Sequence, residues 1–283
     1  MDFAPIQFSP AALEEYRALF AECFPGATHF TRAYLDWLYL GNPDGKAVGF
    51  DAREDGVLAA HYVCIPARAR IEGRDVRVLL SLNTATRPQF QGKGLFTKLA
   101  AMTFNAGAAE GFDGVYGVAN GNSTPGFIRK LGFQLVRPLE AMVGVGKLGT
   151  RAAAVPAPLG FERVWSAPAL AWRCASPVNP VRSRMAGGVW QFQAHALRGV
   201  PAYAELAAPS NAPGAARSGG AMAPVRLYLG LVPDQVRSFA TYVSIPKRLR
   251  PSPLNLIYRA FTPGARPLDP ASIQFTFLDF DAY

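Results

Sequence analysis

Gln89-Phe90-Gln91-Gly92-Lys93-Gly94-Leu95 stands between a strand pattern running from Val76 to Thr86 and a helical one from Gly92 to Ala109, in which Leu95, Leu99, Met102 and Ala106 share a face. The first N–H groups of such a helix have no intrahelical partner and converge on one point, where the positive end of the helix dipole favours an anion. Glycine at two positions lets a pyrophosphate approach the backbone with no Cβ in the way, and Lys93 adds mobile charge. A Walker loop needs Ser or Thr after Gly-Lys, and Gly94 stands there instead. A dinucleotide fingerprint needs a third small residue where Thr97 stands. Asp113 lies at a suitable distance for a ribose-binding acid, yet the preceding strands form a meander rather than a parallel unit.

Upstream, Ser9-Pro10 opens a helix with Leu13, Tyr16, Leu19 and Phe20 on one face, the serine as cap and the proline as first helical residue; Pro25-Gly26 stops it. A second, aromatic-rich helix covers Thr31 to Leu40. Strands follow at Val48 to Arg53, Val57 to Arg70 and Val76 to Thr86, joined by short turns at Glu54-Asp55-Gly56 and Glu72-Gly73-Arg74-Asp75, which makes an antiparallel meander. Beyond the glycine loop and its helix come a buried strand at Val115 to Ala119, a short helix from Ser123-Thr124-Pro125 through Lys130, a break at Gly132, and a strand from Phe133 to Val145.

The arrangement Gln-x-x-Gly-x-Gly after a strand, with Asn120-Gly121-Asn122-Ser123 and Phe127-Ile128-Arg129-Lys130-Leu131-Gly132-Phe133 further on, resembles the GNAT acetyltransferase superfamily. The resemblance covers Asp2 to Gly146 and is strongest from Leu82 to Phe133. It implies an α/β (α+β) fold: a mixed, mostly antiparallel central sheet flanked by helices, splaying open between the strand that ends near Thr86 and the strand at Val115 to Ala119. Acetyl-CoA, or another acyl-CoA, would lie in that wedge as co-substrate, with no metal. Main-chain groups of Thr84 and Thr86 would pair with the pantetheine amides, Gln91, Gly92, Lys93, Gly94 and Leu95 would hold the pyrophosphate, and Asn120, Asn122 and Phe127 would line the far side. The implied reaction is direct attack of a neutral amine on the thioester, in which the departing thiolate gains a proton and the incoming nitrogen loses one. Many members carry a tyrosine acid where this chain has Ile128, and Val76 to Gln91 offers no Asp or Glu as base.

Three residues are candidates for catalytic roles: Tyr116 to supply the missing acid or orient the acceptor, Asn120 to bind pantetheine or polarise the thioester carbonyl, and His61 to act as base. Tyr116 lies on the strand bordering the wedge; its competing reading is a hydrogen-bonded core tyrosine. Asn120, at that strand's end, could polarise the thioester carbonyl or simply form the turn beside Gly121. His61, on the meander, has the best-tuned ordinary pKa for a base, although a lone strand histidine is more often structural. Glu140 is a weaker candidate because Pro138 upsets its orientation. Trp37, Trp165, Trp172 and Trp190 read as core. In Phe277-Leu278-Asp279-Phe280-Asp281, strand alternation puts Asp279 and Asp281 together on one face, toward solvent or an amine.

The chain has 283 residues, 50% hydrophobic and 17% charged, which suits a globular protein of two domains. The expected division is residues 1–150, the acyl-CoA-binding domain, and 159–283, an α+β domain contributing to the acceptor site, with a degenerate GNAT-like half as one form it could take. The boundary falls in Arg151 to Pro158; Ala207 to Pro224 reads as an exposed loop, and strands are expected at Val189 to Gln193, Val225 to Leu231, Leu254 to Phe261 and Ile273 to Phe280. The net charge of +9 suits phosphorylated ligands as well as nucleic acid, and its spread along the chain argues against nucleic acid. Cys23, Cys64 and Cys174 form no close pair and read as reduced, buried thiols; His29, His61 and His195 are too scattered for a metal site. The start lacks a secretory signal and no apolar run is long enough to span a membrane, so the expected setting is the cytoplasm. Trp-Leu-Tyr-x-Gly-Asn-Pro and the added C-terminal part are similar to bacterial enzymes acylating amines of small metabolites or sugars. A non-catalytic GNAT-fold module that binds acyl-CoA is the alternative.

Overall fold

The computed structural model describes residues 1–149, 158–186, 188–196, 199–207 and 221–281. The expected linker up to residue 157 and most of the expected loop after Ala207 lie outside them. After β1 (Asp2–Pro5), a strand that local patterning did not suggest, comes α1 (Pro10–Cys23). Ser9 Oγ accepts from the Ala12 N–H at 3.2 Å, and Pro10 takes the first turn as expected. Thr31 caps α2 (Arg32–Tyr39) in the same manner. The meander follows as β2 (Val48–Glu54), β3 (Val57–Ile71) and β4 (Arg74–Thr86). Its tight turns place Asp55 and Gly56 at φ 53° and 79°, and Glu72 and Gly73 at 49° and 81°. Two consecutive left-handed residues match the twist of the flanking strands.

The chain continues through α3 (Leu95–Ala109), β5 (Gly114–Ala119), α4 (Thr124–Leu131), β6 (Gln134–Pro138) and β7 (Glu140–Val145). Then come β8 (Phe161–Arg163), α5 (Ala167–Cys174), β9 (Arg182–Ala186), β10 (Val189–Ala194), β11 (Ala202–Ala207), β12 (Val225–Gly230), β13 (Tyr242–Ser244), β14 (Asn255–Ala260) and β15 (Ile273–Gln274). One sheet has the order β1-β2-β3-β4-β5-β14-β6, with β8 and β15 attached beside β3. A second runs β13-β7-β12-β11-β10-β9. In the first path only β4 and β5 run parallel.

Two expectations are corrected by this topology. Phe133 to Val145 is not one strand: Pro138, which has no N–H to give a ladder, ends β6, and β7 joins the other sheet. Ile273 to Phe280 is a strand for two residues only, after which Thr276 and Asp279 cap one another around a short 3-10 turn. The expected boundary near residue 150 also does not separate the sheets. β7 lies before it and belongs to the second sheet, and β14 lies after it and sits between β5 and β6 of the first.

The first sheet is covered on both faces. Leu13, Tyr16 and Phe20 of α1 and Leu35, Leu38 and Tyr39 of α2 pack on one, together with Phe161, Phe275 and Phe277. Leu95, Leu99 and Phe104 of α3 and Phe127 and Leu131 of α4 pack on the other. Each such fully buried side chain contributes about 1.5–3 kcal/mol. Of the cysteines, Cys64 and Cys174 are buried and Cys23 is half-buried; all three are free thiols. No helix among the described residues is long and apolar enough to cross a membrane.

Candidate active site

The glycine loop stands open. Gln89 and residues 91–94 are exposed, while Leu95 turns inward to anchor α3. Gly92 and Gly94 have φ of 78° and 73°, and a Cβ built on either would meet nothing within 4 Å. The left-handed turns make glycine the favoured residue, and the surrounding space is free for a ligand. Gly94 caps α3 without a side-chain hydrogen bond, so the N–H groups opening the helix have no intrahelical acceptor. The Gln91 N–H is already committed to Pro88 O, and the Gln91 side chain donates to Thr86 O at 3.3 Å. Lys93 Nζ lies 3.2 Å from Glu54 Oε2 and over the Phe90 ring, so its charge is partly engaged.

Directly before this loop the sheet parts. The β4–β5 ladder pairs Val78 with Gly114, Leu79 with Val115, Leu80 with Tyr116 and Ser81 with Gly117, and ends there. Leu82 to Thr86 continue on β3 alone, while β5 runs on to Ala119 paired with Asn255 of β14. A bulge in the β3–β4 ladder falls between the pairs His61/Ala85 and Val63/Leu82, leaving Asn83 and Thr84 opposite a single residue, with Asn83 at φ 45°. The splay implied between these strands is therefore present, with the backbone of Thr84 and Thr86 along one edge.

The far edge is a tightly wound turn. Asn120 Oδ1 accepts from the N–H groups of Asn122 and Ser123 at 3.0 Å, and Asn120 O accepts from Thr124 N and Oγ1. Its carbonyl groups thus serve the turn that launches α4. Phe127 is buried against Phe96 and Phe133. Ile128, where the resemblance implies an acid, is half-buried against the α3 core. The C-terminal half clamps this turn: Ser252 Oγ accepts from Gly121 N, and Asn255 Nδ2 donates to Thr124 Oγ1 at 2.9 Å.

Tyr116 and His61 are both fully buried. The Tyr116 hydroxyl donates to Asp279 O at 2.8 Å and accepts from Arg163 Nη1 at 3.0 Å. Burial pushes its pKa up to about 12, only partly offset by Arg163. A proton held that tightly is poorly placed to be given up near neutral pH. His61 Nδ1 lies 2.7 Å from Asp51 Oδ1 and Nε2 lies 3.0 Å from the Tyr39 hydroxyl, which also accepts from Asn83 Nδ2 at 3.3 Å. Besides the backbone pairing of His61 with Ala85, the His61 side chain is linked to the parted strand through Tyr39 and Asn83.

Asp279 corrects the expected strand alternation. It is buried, accepting from Thr276 N at 2.6 Å and from Trp165 Nε1 at 3.0 Å, and burial raises its pKa against the opposing pull of Arg163. Asp281 pairs with Tyr34 and Arg173. Tyr39 stands in the Trp-Leu-Tyr-x-Gly-Asn-Pro stretch, and Arg163, Asp51 and Asn83 stand in no motif of the sequence. The only signal for the last was its place at the end of a strand beside the loop. A cavity of about 440 Å³ lies between Phe8, Lys46, Arg77 and Phe112, by the C-terminal end of α3, away from the glycine loop.

Residues 6–136 match the family model described as acetyltransferase (GNAT) domain. Among curated proteins none matches the chain by sequence. Among solved structures, a GCN5-related N-acetyltransferase from Kribbella flavida superposes with a TM-score of 0.61 at 15% identity, covering 92% of this chain and 72% of that one. A probable N-acyltransferase from Enterococcus faecalis V583, described as a conserved protein of unknown function, gives 0.54 at 11%, covering 92% and 73%. A GCN5-related N-acetyltransferase from Anabaena variabilis gives 0.52 at 12%, covering 91% and 72%. Identities this low carry the fold, which in these neighbours extends across both sheets. The glycine loop, the parted strands and the match to the GNAT acetyltransferase domain model coincide in one segment, residues 6–136.

Proposed function

We propose that the chain is an acyl-CoA-dependent N-acyltransferase that moves an acetyl group from acetyl-CoA to a primary amine of a small metabolite or amino sugar within a ternary complex. The observation that carries this reading is the parting of β4 from β5 after Ser81 and Gly117, directly before a loop whose backbone amides open α3 without acceptors. Gly92 to Leu95 would take the pyrophosphate, Thr84 and Thr86 the pantetheine amides, and Asn122 and Phe127 the opposite wall. The unpaired β4 edge can hydrogen-bond an extended amide chain much as it would another strand.

The acceptor amine would bind between the GNAT-like half and the C-terminal half. Its lone pair attacks the thioester carbon; the C–N bond forms and the C–S bond breaks. The thiolate takes up one proton, and the new ammonium releases one. Proximity supplies much of the rate, since both reactants are held against one sheet. Asn120 keeps the turn in place, and Tyr116 pegs the C-terminal segment to β5.

Calorimetric titration with acetyl-CoA tests binding; absence of heat at about millimolar cofactor, the weak end of the affinity scale, would overturn the reading. Free-thiol release with a panel of primary amines tests turnover. Ile128 motivates the second reading, a non-catalytic acyl-CoA-binding module, which predicts binding without thiol release for every amine.

A further inference from the structure

A chain of buried hydrogen bonds runs from the heart of the α1/α2 core to the parted strands, and its direction is set at one end. Asp51, buried on β2, can only accept. Its Oδ2 accepts a hydrogen bond from the Tyr16 hydroxyl at 2.7 Å, and Tyr16 Oη in turn accepts from Gln7 N at 2.8 Å. Its Oδ1 lies 2.7 Å from His61 Nδ1, so Nδ1 carries a proton toward the carboxylate, and in the neutral ring Nε2 is left with a lone pair. Tyr39 therefore gives its single proton to Nε2 at 3.0 Å, and its oxygen accepts from Asn83 Nδ2 at 3.3 Å. An acceptor-only carboxylate thus dictates, through three hydrogen bonds, which end of the Asn83 amide faces inward.

Asn83 is the residue at which this order meets open space. It sits two places beyond Ser81, the last β4 residue paired to β5, and it is half-buried while Tyr39, His61 and Tyr16 are wholly buried. Its φ of 45° in the bulge turns the backbone away from the regular ladder, a conformation asparagine tolerates better than most residues. Among the described residues neither its second N–H nor its Oδ1 has a partner. The side chain lies on the α1/α2 face, opposite the glycine loop, so an acyl arm reaching between the strands from the α3 side emerges beside it.

We propose that the second N–H of Asn83 donates to the acyl thioester carbonyl oxygen, and that Tyr39, His61 and Asp51 are positioning residues that hold the amide with its donor end available. This rests on the acyl-CoA reading above and adds to it a side-chain contact that no comparison assigns. A donor aimed at that oxygen gains strength as negative charge develops there during attack. No covalent step at His61 is needed; the buried histidine transmits orientation.

The test compares acetyl-CoA with CoA on the full chain, since CoA lacks the carbonyl. Wild type should bind acetyl-CoA roughly three- to tenfold more tightly, the worth of one neutral hydrogen bond. Bound [1-13C]acetyl-CoA should also show a downfield-shifted carbonyl resonance. Asn83→Asp keeps the shape and the tolerance for positive φ but cannot donate when ionised; Asn83→Gly keeps the backbone. Both should lose the preference and the downfield shift while CoA affinity stays within about twofold, inside the worth of one weak hydrogen bond. Tyr39→Phe, which removes the inward anchor but not the ring, should reduce the shift with the same CoA affinity. Retention of preference and resonance in Asn83→Asp overturns the proposal, and if Tyr39→Phe does not fold the two Asn83 variants decide alone. Failure of wild type to bind either cofactor sinks the acyl-CoA reading and this one together, whereas equal binding of both by wild type sinks only this one.

Discussion

Gly94→Ala separates the stability of the glycine loop from its ability to bind. Gly94 lies at φ 73° and ψ 12°, and a Cβ there touches nothing within 4 Å. The methyl group therefore costs only the left-handed strain of an L-residue, about 1–2 kcal/mol. In a protein of this size about 1 kcal/mol corresponds to a Tm lower by roughly 2–4 °C. The same methyl occupies the space a phosphate oxygen needs to reach the N–H groups at the start of α3. Losing one or two charge-assisted hydrogen bonds costs about 2–4 kcal/mol, or roughly a 30- to 700-fold weaker Kd for acetyl-CoA. Calorimetric titration and thermal unfolding on the same preparation measure both quantities. A small Tm change with a large affinity loss is the expected pair; a Kd within about threefold of wild type, less than one such hydrogen bond is worth, would refute the cradle.

Tyr116→Phe should destabilise the protein by about 1–3 kcal/mol, because Arg163 Nη1 loses its buried acceptor, and should leave acetyl-CoA affinity unchanged; denaturant melts and titration check the two halves. Glu54→Gln frees Lys93 from its ion pair at 3.2 Å, so acetyl-CoA should bind more tightly at low salt and the gain should fade as salt rises. The pKa of Asp279 is raised above its ordinary 3.8 by burial, so its contribution to stability is fullest below that value and is lost as pH rises through the folded value. The stability difference between wild type and Asp279→Asn, followed by melts at successive pH values above about 4, should therefore fall with rising pH; a flat difference would count against a raised pKa.

Local signals in the sequence carried much of the first half. Ser9-Pro10, Thr31, the Asp55-Gly56 and Glu72-Gly73 turns and the paired glycines after Phe90 each act within a few residues, so their structural meaning can be read in place. β14 is different. Leu254 to Phe261 reads correctly as a strand, but nothing in its pattern says that it lies between β5 and β6, because strand partners far apart in sequence leave no local trace. The same limit applies to the site. His61 was legible as a residue of suitable chemistry, whereas its partners Asp51, Tyr39 and Asn83 come from three other elements and meet only on folding. Asp279 misled through strand alternation, since a Thr276 cap replaced the strand. Ile128 remains as the sequence presented it, an apolar side chain at the position where the resemblance implies an acid.

The seat of β14 has a consequence for how the protein comes into being. Residues 134–138 and 114–119 gain their shared neighbour only from residues 255–260, so during synthesis two strands of the first sheet wait, each with an edge bare, while the whole second sheet is made. Such distant closure slows folding and leaves an interval in which unpaired edges can find the wrong partner. A fragment cut near residue 150 would be arrested in that interval, lacking the strand between β5 and β6 for good.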